Sequence, residues 1–87
     1  MKVILFGNDK CSSCLKWKPV FERLMNEYGL NHVYIDIDQD KISKEKYQIH
    51  GIPVTIFFND NDEEIGNILG NMNEDIARQQ IEYYKNV

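Results

Sequence analysis

Cysteine is scarce in this chain: two occur in 87 residues, both inside the run Lys10-Cys11-Ser12-Ser13-Cys14. A framework of disulfides stapling a small secreted fold is therefore excluded. A bridge between these two would enclose only Ser12 and Ser13 and restrain little of the unfolded chain, so stabilisation is a poor reason for the pair. Proline is as rare, and no Pro-, Gly- or Ser-rich linker, repeat or low-complexity tract breaks the sequence, so one domain spanning 1–87 is expected. Basic residues are in deficit, ten Lys and Arg against fourteen Asp and Glu, giving a net charge of −4. With those cations scattered there is no electrostatic footprint for nucleic acid or for an anionic membrane surface. No apolar run is long enough to span a bilayer, and Met1 to Asp9 lacks the long apolar region and cleavage site of a signal peptide. A cytoplasmic setting is expected, where reducing conditions leave a Cys-x-x-Cys pair as redox-active or metal-binding.

What the chain does have is core material. Hydrophobic residues make up 43% of it and aromatics 11%, enough to argue for a folded globule over a disordered segment. Val3 to Phe6 is a continuous apolar run too short for a helix, bounded by Gly7-Asn8-Asp9, and fits a central strand covered on both faces. From Cys14 to Tyr28, Trp17, Phe21, Leu24, Met25 and Tyr28 recur at helical spacing before the terminator Gly29, with Pro19 inside the helix where a kink is expected. His32 to Ile37 alternates Val33, Ile35 and Ile37 with Tyr34 and Asp36 and reads as a second strand. Asp40 can cap a short helix over Lys41 to Tyr47 with Ile42 and Tyr47 facing inward. Val54 to Phe58 and Glu64 to Leu69 flank the turn-forming Asn59-Asp60-Asn61-Asp62 and predict an antiparallel hairpin. Asn73 can cap a last helix with Glu74 and Asp75 in its first turn and Ile76, Ala77, Ile81 and Tyr84 on one face.

The order β-α-β-α-β-β-α, with right-handed crossovers, predicts an α/β fold: a four-stranded mixed sheet flanked by helices on both faces. Ligand sites on such sheets lie beyond the carboxyl ends of parallel strands, where Cys11 falls. Cys11, nearer the helix start, is the expected nucleophile, its thiolate favoured by unpaired backbone N–H groups and the helix dipole, with Lys10 adding positive charge. Cys14 is the expected resolving thiol. The competing reading is zinc held by Cys11, Cys14, His32 and His50, whose spacing does not match the compact ligand pairs of structural sites. Both histidines are expected to be exposed, and no metal or cofactor is assigned. The acidic runs Asp36 to Asp40 and Asp60 to Glu64 lack the glycine of a calcium loop and read as solvated turns. Ile52-Pro53 opens the run Val54 to Phe58 at the strand position that tolerates proline, and base rates favour a trans bond.

Together, the strand, the Cys-x-x-Cys opening a helix, Pro19 eight residues after Cys11, the segment Ile37 to Pro53 with Gly51-Ile52-Pro53-Val54-Thr55, and Gly70 after the hairpin resemble the thioredoxin family nearly end to end. The resemblance implies a thioredoxin-like fold and a thiol–disulfide oxidoreductase, a disulfide reductase working through Cys11 and Cys14. It also implies a cis Pro53 lying against the cysteines, and an Ile52 backbone that pairs with substrate peptide as a short strand. Ser12, Ser13, Ile52, Pro53 and Gly70 are the substrate-binding residues it implies.

The departures are specific. Lys10 replaces the family's tryptophan before the first cysteine, and Ser12-Ser13 replaces Gly-Pro. Leu5 stands where thioredoxins bury an aspartate, and Tyr34 where its lysine neighbour lies, so water or a nearby carboxylate such as Asp9 is left to accept the Cys14 proton. The sequence opens directly at the strand before the cysteines, as in glutaredoxins and short thioredoxin-like proteins. Gly51-Ile52-Pro53 and Gly70-Asn71 stand where glutaredoxins hold glutathione. The expected partners are disulfide-containing proteins and an electron donor, either a thioredoxin-reductase-like flavoprotein or glutathione, with the chain acting as a monomer.

Overall fold

A computed structural model describes residues 1–86. Its elements run β1 (Lys2–Gly7), α1 (Ser12–Tyr28), β2 (Asn31–Asp36), α2 (Lys41–Lys46), β3 (Val54–Phe58), β4 (Glu64–Leu69) and α3 (Glu74–Lys85). The four strands form one mixed sheet in the order β2-β1-β3-β4. β1 pairs parallel with β2 and antiparallel with β3, and β3 and β4 form the hairpin. The unbroken apolar run Val3 to Phe6 thus occupies a central strand, and all four residues are buried, as a strand covered on both faces requires.

Alternation along β1 divides its side chains between two cores. Val3 and Leu5 point to one face, where Trp17, Phe21, Leu24 and Met25 of α1 and Ala77 and Ile81 of α3 pack with Phe57 and Ile68. Ile4 and Phe6 point to the other and pack with Ile37, Ile49, Ile56 and Phe58. The helical spacing of the apolar residues in α1 therefore specifies what it covers, and α1 continues through Pro19, which sits on its exposed side. Inside the first core the Trp17 indole N–H donates to the Thr55 hydroxyl at 3.0 Å, giving the buried tryptophan a partner on the sheet.

Four expectations need correction. Ile42 does not face inward; it is 83% exposed, and α2 buries none of its residues. A helix of six residues presents too little surface to cover a sheet, and Tyr47, its C-cap, makes the contact instead, with its ring 5.3 Å from Phe6 and 5.8 Å from Phe58. Ile76 is half-exposed, since Ala77, Ile81 and the Tyr84 ring against Phe57 already fill the α3 contact. β2 is an edge strand, so Val33 is 45% exposed, whereas Tyr34 on the opposite side packs against the first core. His32 is half-buried, edge-on to Phe21 at 5.7 Å with Nδ1 2.9 Å from the Leu30 carbonyl; His50 is exposed as expected.

On the outer side, α1 and α3 are joined by an ion-pair network. Arg78 lies 3.0 Å from Glu74 one turn before it and also pairs with Glu27, while Arg23 pairs with Glu74. Hydrogen bonds from Arg23 and then Arg78 pull the Glu74 carboxyl down to about 2, and Arg78 lowers Glu27. A carboxylate depressed on folding stabilises the fold above its unfolded pKa, and that contribution fades as pH falls toward the folded value. The network is at the surface, so its effect is modest and screened by salt. Glu74→Gln should therefore lower the urea midpoint slightly near neutral pH and flatten its decline between about pH 5 and pH 2, a flattening that disappears in high salt. An equal decline in both proteins would remove the network from acid sensitivity.

Candidate active site

The chain reaches the first cysteine through a loop fixed by its own polar groups. After β1, the Asn8 side-chain oxygen accepts from the Lys10 backbone N–H at 3.0 Å, its amide lies 3.3 Å from Asp38, and its carbonyl accepts from the Cys11 N–H at 3.4 Å. Cys11 then becomes the N-cap of α1, in extended conformation, its sulfur accepting from the Cys14 backbone N–H at 3.2 Å. The helix thus starts two residues before the expected Cys14, because the thiol itself serves as the capping acceptor usually supplied by Ser, Asp or Asn. Cys11 is half-buried and Cys14 is 1% exposed, and both are free thiols.

Cys14 lies directly against the end of β1. A Cβ on Gly7 would come 3.0 Å from Cys14 Sγ and 3.3 Å from Tyr34 Cε2, so glycine is what lets the first turn of α1 settle there. Burial pushes the Cys14 thiol up to about 11, reinforced by a hydrogen bond with Cys11 and opposed by a backbone hydrogen bond from Asn8. Leu5 is fully buried and stands directly opposite Tyr34 in the β1–β2 register, so the positions at which thioredoxins place an aspartate and a lysine are neighbours here also. Burial, followed by the charge of Asp9, pushes the Tyr34 hydroxyl up to about 12.

The second wall comes from the loop before β3. The Ile52–Pro53 peptide bond is cis, against the base-rate preference and as the resemblance implied. The Ile52 carbonyl lies 4.0 Å from the Cys11 sulfur across 41 positions of sequence, which brings the two halves of the predicted site together. Pro53 is buried, and its carbonyl accepts from the Gly70 N–H at 2.8 Å; Gly70 has φ +76°, a left-handed turn that glycine adopts freely. Gly70 is therefore a brace for the proline loop. Ser12 is exposed and Ser13 half-buried at the opening of α1. Beside the proline loop a cavity of about 530 Å³ opens between Gln48, His50, Ile52, Val54, Asn67 and Leu69. Gly7 and Lys18 are the nearby residues that sequence reasoning left out of the site, whereas Tyr34 was expected beside it. The only cue to Gly7 was its position between an apolar run and the cysteines.

Among the described residues no three His, Cys, Asp or Glu side chains gather to hold a metal, so the set Cys11, Cys14, His32 and His50 is not assembled. No helix of the described residues is long and apolar enough to cross a membrane.

The sequence matches the thioredoxin family model over residues 1–82. The chain belongs to the thioredoxin family. Comparison with curated proteins returns no match. Among solved structures, thioredoxin 1 of the thermophilic eubacterium Thermosipho africanus superposes with a TM-score of 0.88 at 23% identity, covering 99% of this chain and 96% of that one. A mutant thioredoxin of Halobacterium salinarum gives 0.86 at 28% identity over 95% of this chain and 73% of its own. The thioredoxin of Fasciola hepatica gives 0.85 at 26%, over 94% and 78% respectively. The four-stranded mixed sheet with its helices is the thioredoxin fold. Membership of the family, with Cys11 and Cys14 adjacent in space, supports thiol–disulfide oxidoreduction as the general activity.

Since a Cβ at position 7 would come 3.0 Å from the Cys14 sulfur and 3.3 Å from both Cys14 Cβ and the Tyr34 ring, Gly7→Ala should force the first turn of α1 to give by a few tenths of an ångström. Overpacking of this kind costs about 1–3 kcal/mol, visible as a lowered melting temperature. Unchanged melting together with unchanged thiol reactivity would show that the first turn moves freely.

Proposed function

We propose that this thioredoxin-family chain is a cytosolic protein-disulfide reductase in which Cys11 is the nucleophile and Cys14 the resolving thiol. The observation that carries the reading is the unequal exposure of the two sulfurs: Cys11 is half-buried at a helix N-terminus beside the Ile52 carbonyl, and Cys14 is sealed beneath it. A substrate disulfide can reach the first and not the second. The Cys14 N–H aimed at Cys11 Sγ and the free N–H groups of the first turn favour negative charge on that sulfur.

In the first step the Cys11 thiolate attacks one sulfur of the substrate disulfide. A Cys11–substrate bond forms, the substrate S–S bond breaks, and the other substrate sulfur leaves as thiolate. The backbone at Gly51 and Ile52, beside Pro53, offers an edge on which an extended substrate segment can pair, with flanking residues in the adjoining cavity that Gly70 helps to line and with Ser12 and Ser13 at the opening of α1 on the cysteine side. In the second step Cys14 loses its proton and attacks Cys11 Sγ. The Cys11–Cys14 disulfide forms, the substrate's remaining sulfur leaves reduced, and two electrons have passed to it. A flavoprotein of the thioredoxin-reductase kind then returns two electrons to the oxidised chain, with glutathione the alternative donor.

With the Cys14 thiol near 11, only a small fraction is thiolate at neutral pH. Resolution of a preformed mixed disulfide should accelerate about tenfold per pH unit from neutrality upward, because thiolate is the attacking species. Stopped-flow fluorescence of Trp17, the sole tryptophan, would follow it. A rate flat with pH would separate deprotonation of Cys14 from the slow step.

Cys11→Ser should abolish insulin reduction and Cys14→Ser should trap the substrate as a mixed disulfide. Retained turnover in the Cys11 variant would sink the nucleophile assignment. Recycling of the oxidised chain by NADPH with thioredoxin reductase, measured against recycling by glutathione, decides the donor.

A further inference from the structure

The site must deprotonate a buried thiol without the aspartate that Leu5 has displaced. The surroundings of Cys14 carry a different charged group. Lys18 lies one helical turn beyond Cys14 on α1, and its ammonium sits 4.2 Å from the centre of the Tyr34 ring. The ring edge and Cys14 Sγ both border the point at which a Gly7 Cβ would stand, 3.3 and 3.0 Å from it, so Tyr34 adjoins the surroundings of the buried sulfur on one side and the ammonium on the other. Lys18 is half-buried, and among the described residues no carboxylate lies within salt-bridge distance of it.

We propose that Lys18, held over the face of Tyr34, is the positioning residue that supplies the positive charge favouring the Cys14 thiolate in the resolving step. The aromatic face attracts the cation and keeps it from swinging into solvent. Tyr34 acts as an uncharged platform, since burial and then the neighbouring Asp9, Cys14, Asp36 and Cys11 keep its hydroxyl protonated across the physiological range. The attraction of the ammonium for the sulfur grows as Cys14 loses its proton to water, and it ends when the Cys11–Cys14 bond forms and the substrate sulfur leaves. The electrons move as in the second step above; Lys18 exchanges no proton and makes no bond.

The inference rests on the resolving role given to Cys14, and its test is kept separate from that role. In a Cys11→Ser background, where serine preserves the N-cap and Cys14 is the sole thiol, the rate of alkylation by the neutral reagent iodoacetamide near pH 7, where lysine is an ammonium, reads the Cys14 thiolate fraction. Lys18→Met should slow that alkylation roughly tenfold. Tyr34→Leu, which removes the platform, should slow it by less, and Lys18→Arg should keep the parent rate. With Cys11 present, Lys18→Met should slow resolution of the mixed disulfide roughly tenfold at neutral pH and leave its rate of formation unchanged. A Lys18→Met alkylation rate equal to the parent's, or a Lys18→Arg rate equal to that of Lys18→Met, overturns the assignment. Insulin reduction by the unmodified chain is the independent control: activity there with an unmoved alkylation rate removes only Lys18, and inactivity with a slowed alkylation removes only the reductase reading.

Discussion

The first turn of α1 rests so closely on the end of β1 that a Cβ at Gly7 would stand 3.0 Å from the Cys14 sulfur, tighter than ordinary packing. Much of the site follows from this approach. It buries Cys14 at the end of β1, close to where the Tyr34 ring edge also arrives, and leaves Cys11 one turn higher, at the lip, where its sulfur caps the helix. The approach is held along the whole helix by Trp17, Phe21, Leu24 and Met25 packing onto Val3 and Leu5, and by the Trp17–Thr55 hydrogen bond that ties α1 to β3. Contacts far from the sulfurs thus set the height of each one, because close-packed interiors transmit small displacements.

The opposite wall is built differently. Ile52 and Pro53 belong to a loop whose fixed points are the burial of Pro53 and one hydrogen bond from Gly70, itself in the turn that ends the hairpin. One wall of the site is therefore a helix end bolted to the central strand, and the other a loop braced by a turn. The cavity of about 530 Å³ lies next to the loop and not next to the helix. Such an arrangement holds the two sulfurs in fixed register with β1 and leaves the open space on the side of the proline loop.

What was legible in the sequence and what was not divides along physical lines. Every strand and helix was anticipated, because the α1 stripe has a helical period, Val3 to Phe6 is too short for a helix between its flanking turn residues, and the runs around Asn59 to Asp62 are split by a turn. The pair of cysteines at a helix start was readable from its spacing, and the structure leaves the first sulfur partly open and buries the second. Errors fell where periodicity underdetermines burial. Ile42 and Ile76 have apolar side chains on helices whose contact area was already filled, by Tyr47 and by Ala77, Ile81 and Tyr84. Val33 lay on an edge strand, and strand order is a property of the assembled sheet that local alternation does not encode. Gly7 and Lys18 escaped for a related reason: a close approach and a cation over a ring exist only once β1, β2 and α1 have met.

The replacement of a buried acid by Leu5 changes the energetics of the site in a definite direction. A carboxylate in that position would be an expensive charge next to a thiol that must itself become charged, and like charges at short range oppose each other's ionisation. With leucine there, no buried carboxylate opposes the thiolate, and burial is the main cost of forming it, with the Cys11 hydrogen bond adding to that cost and the Asn8 backbone bond reducing it. A cation that can lower the cost further stands between α1 and β2, where Lys18 lies over Tyr34. A cation there lowers the cost of the thiolate that must attack in the resolving step. At neutral pH Cys14 is almost wholly thiol, so Leu5, Tyr34 and Lys18 act on one quantity, the free energy of negative charge at Cys14, and through it on the speed of resolution and not on the stability of the reduced pair.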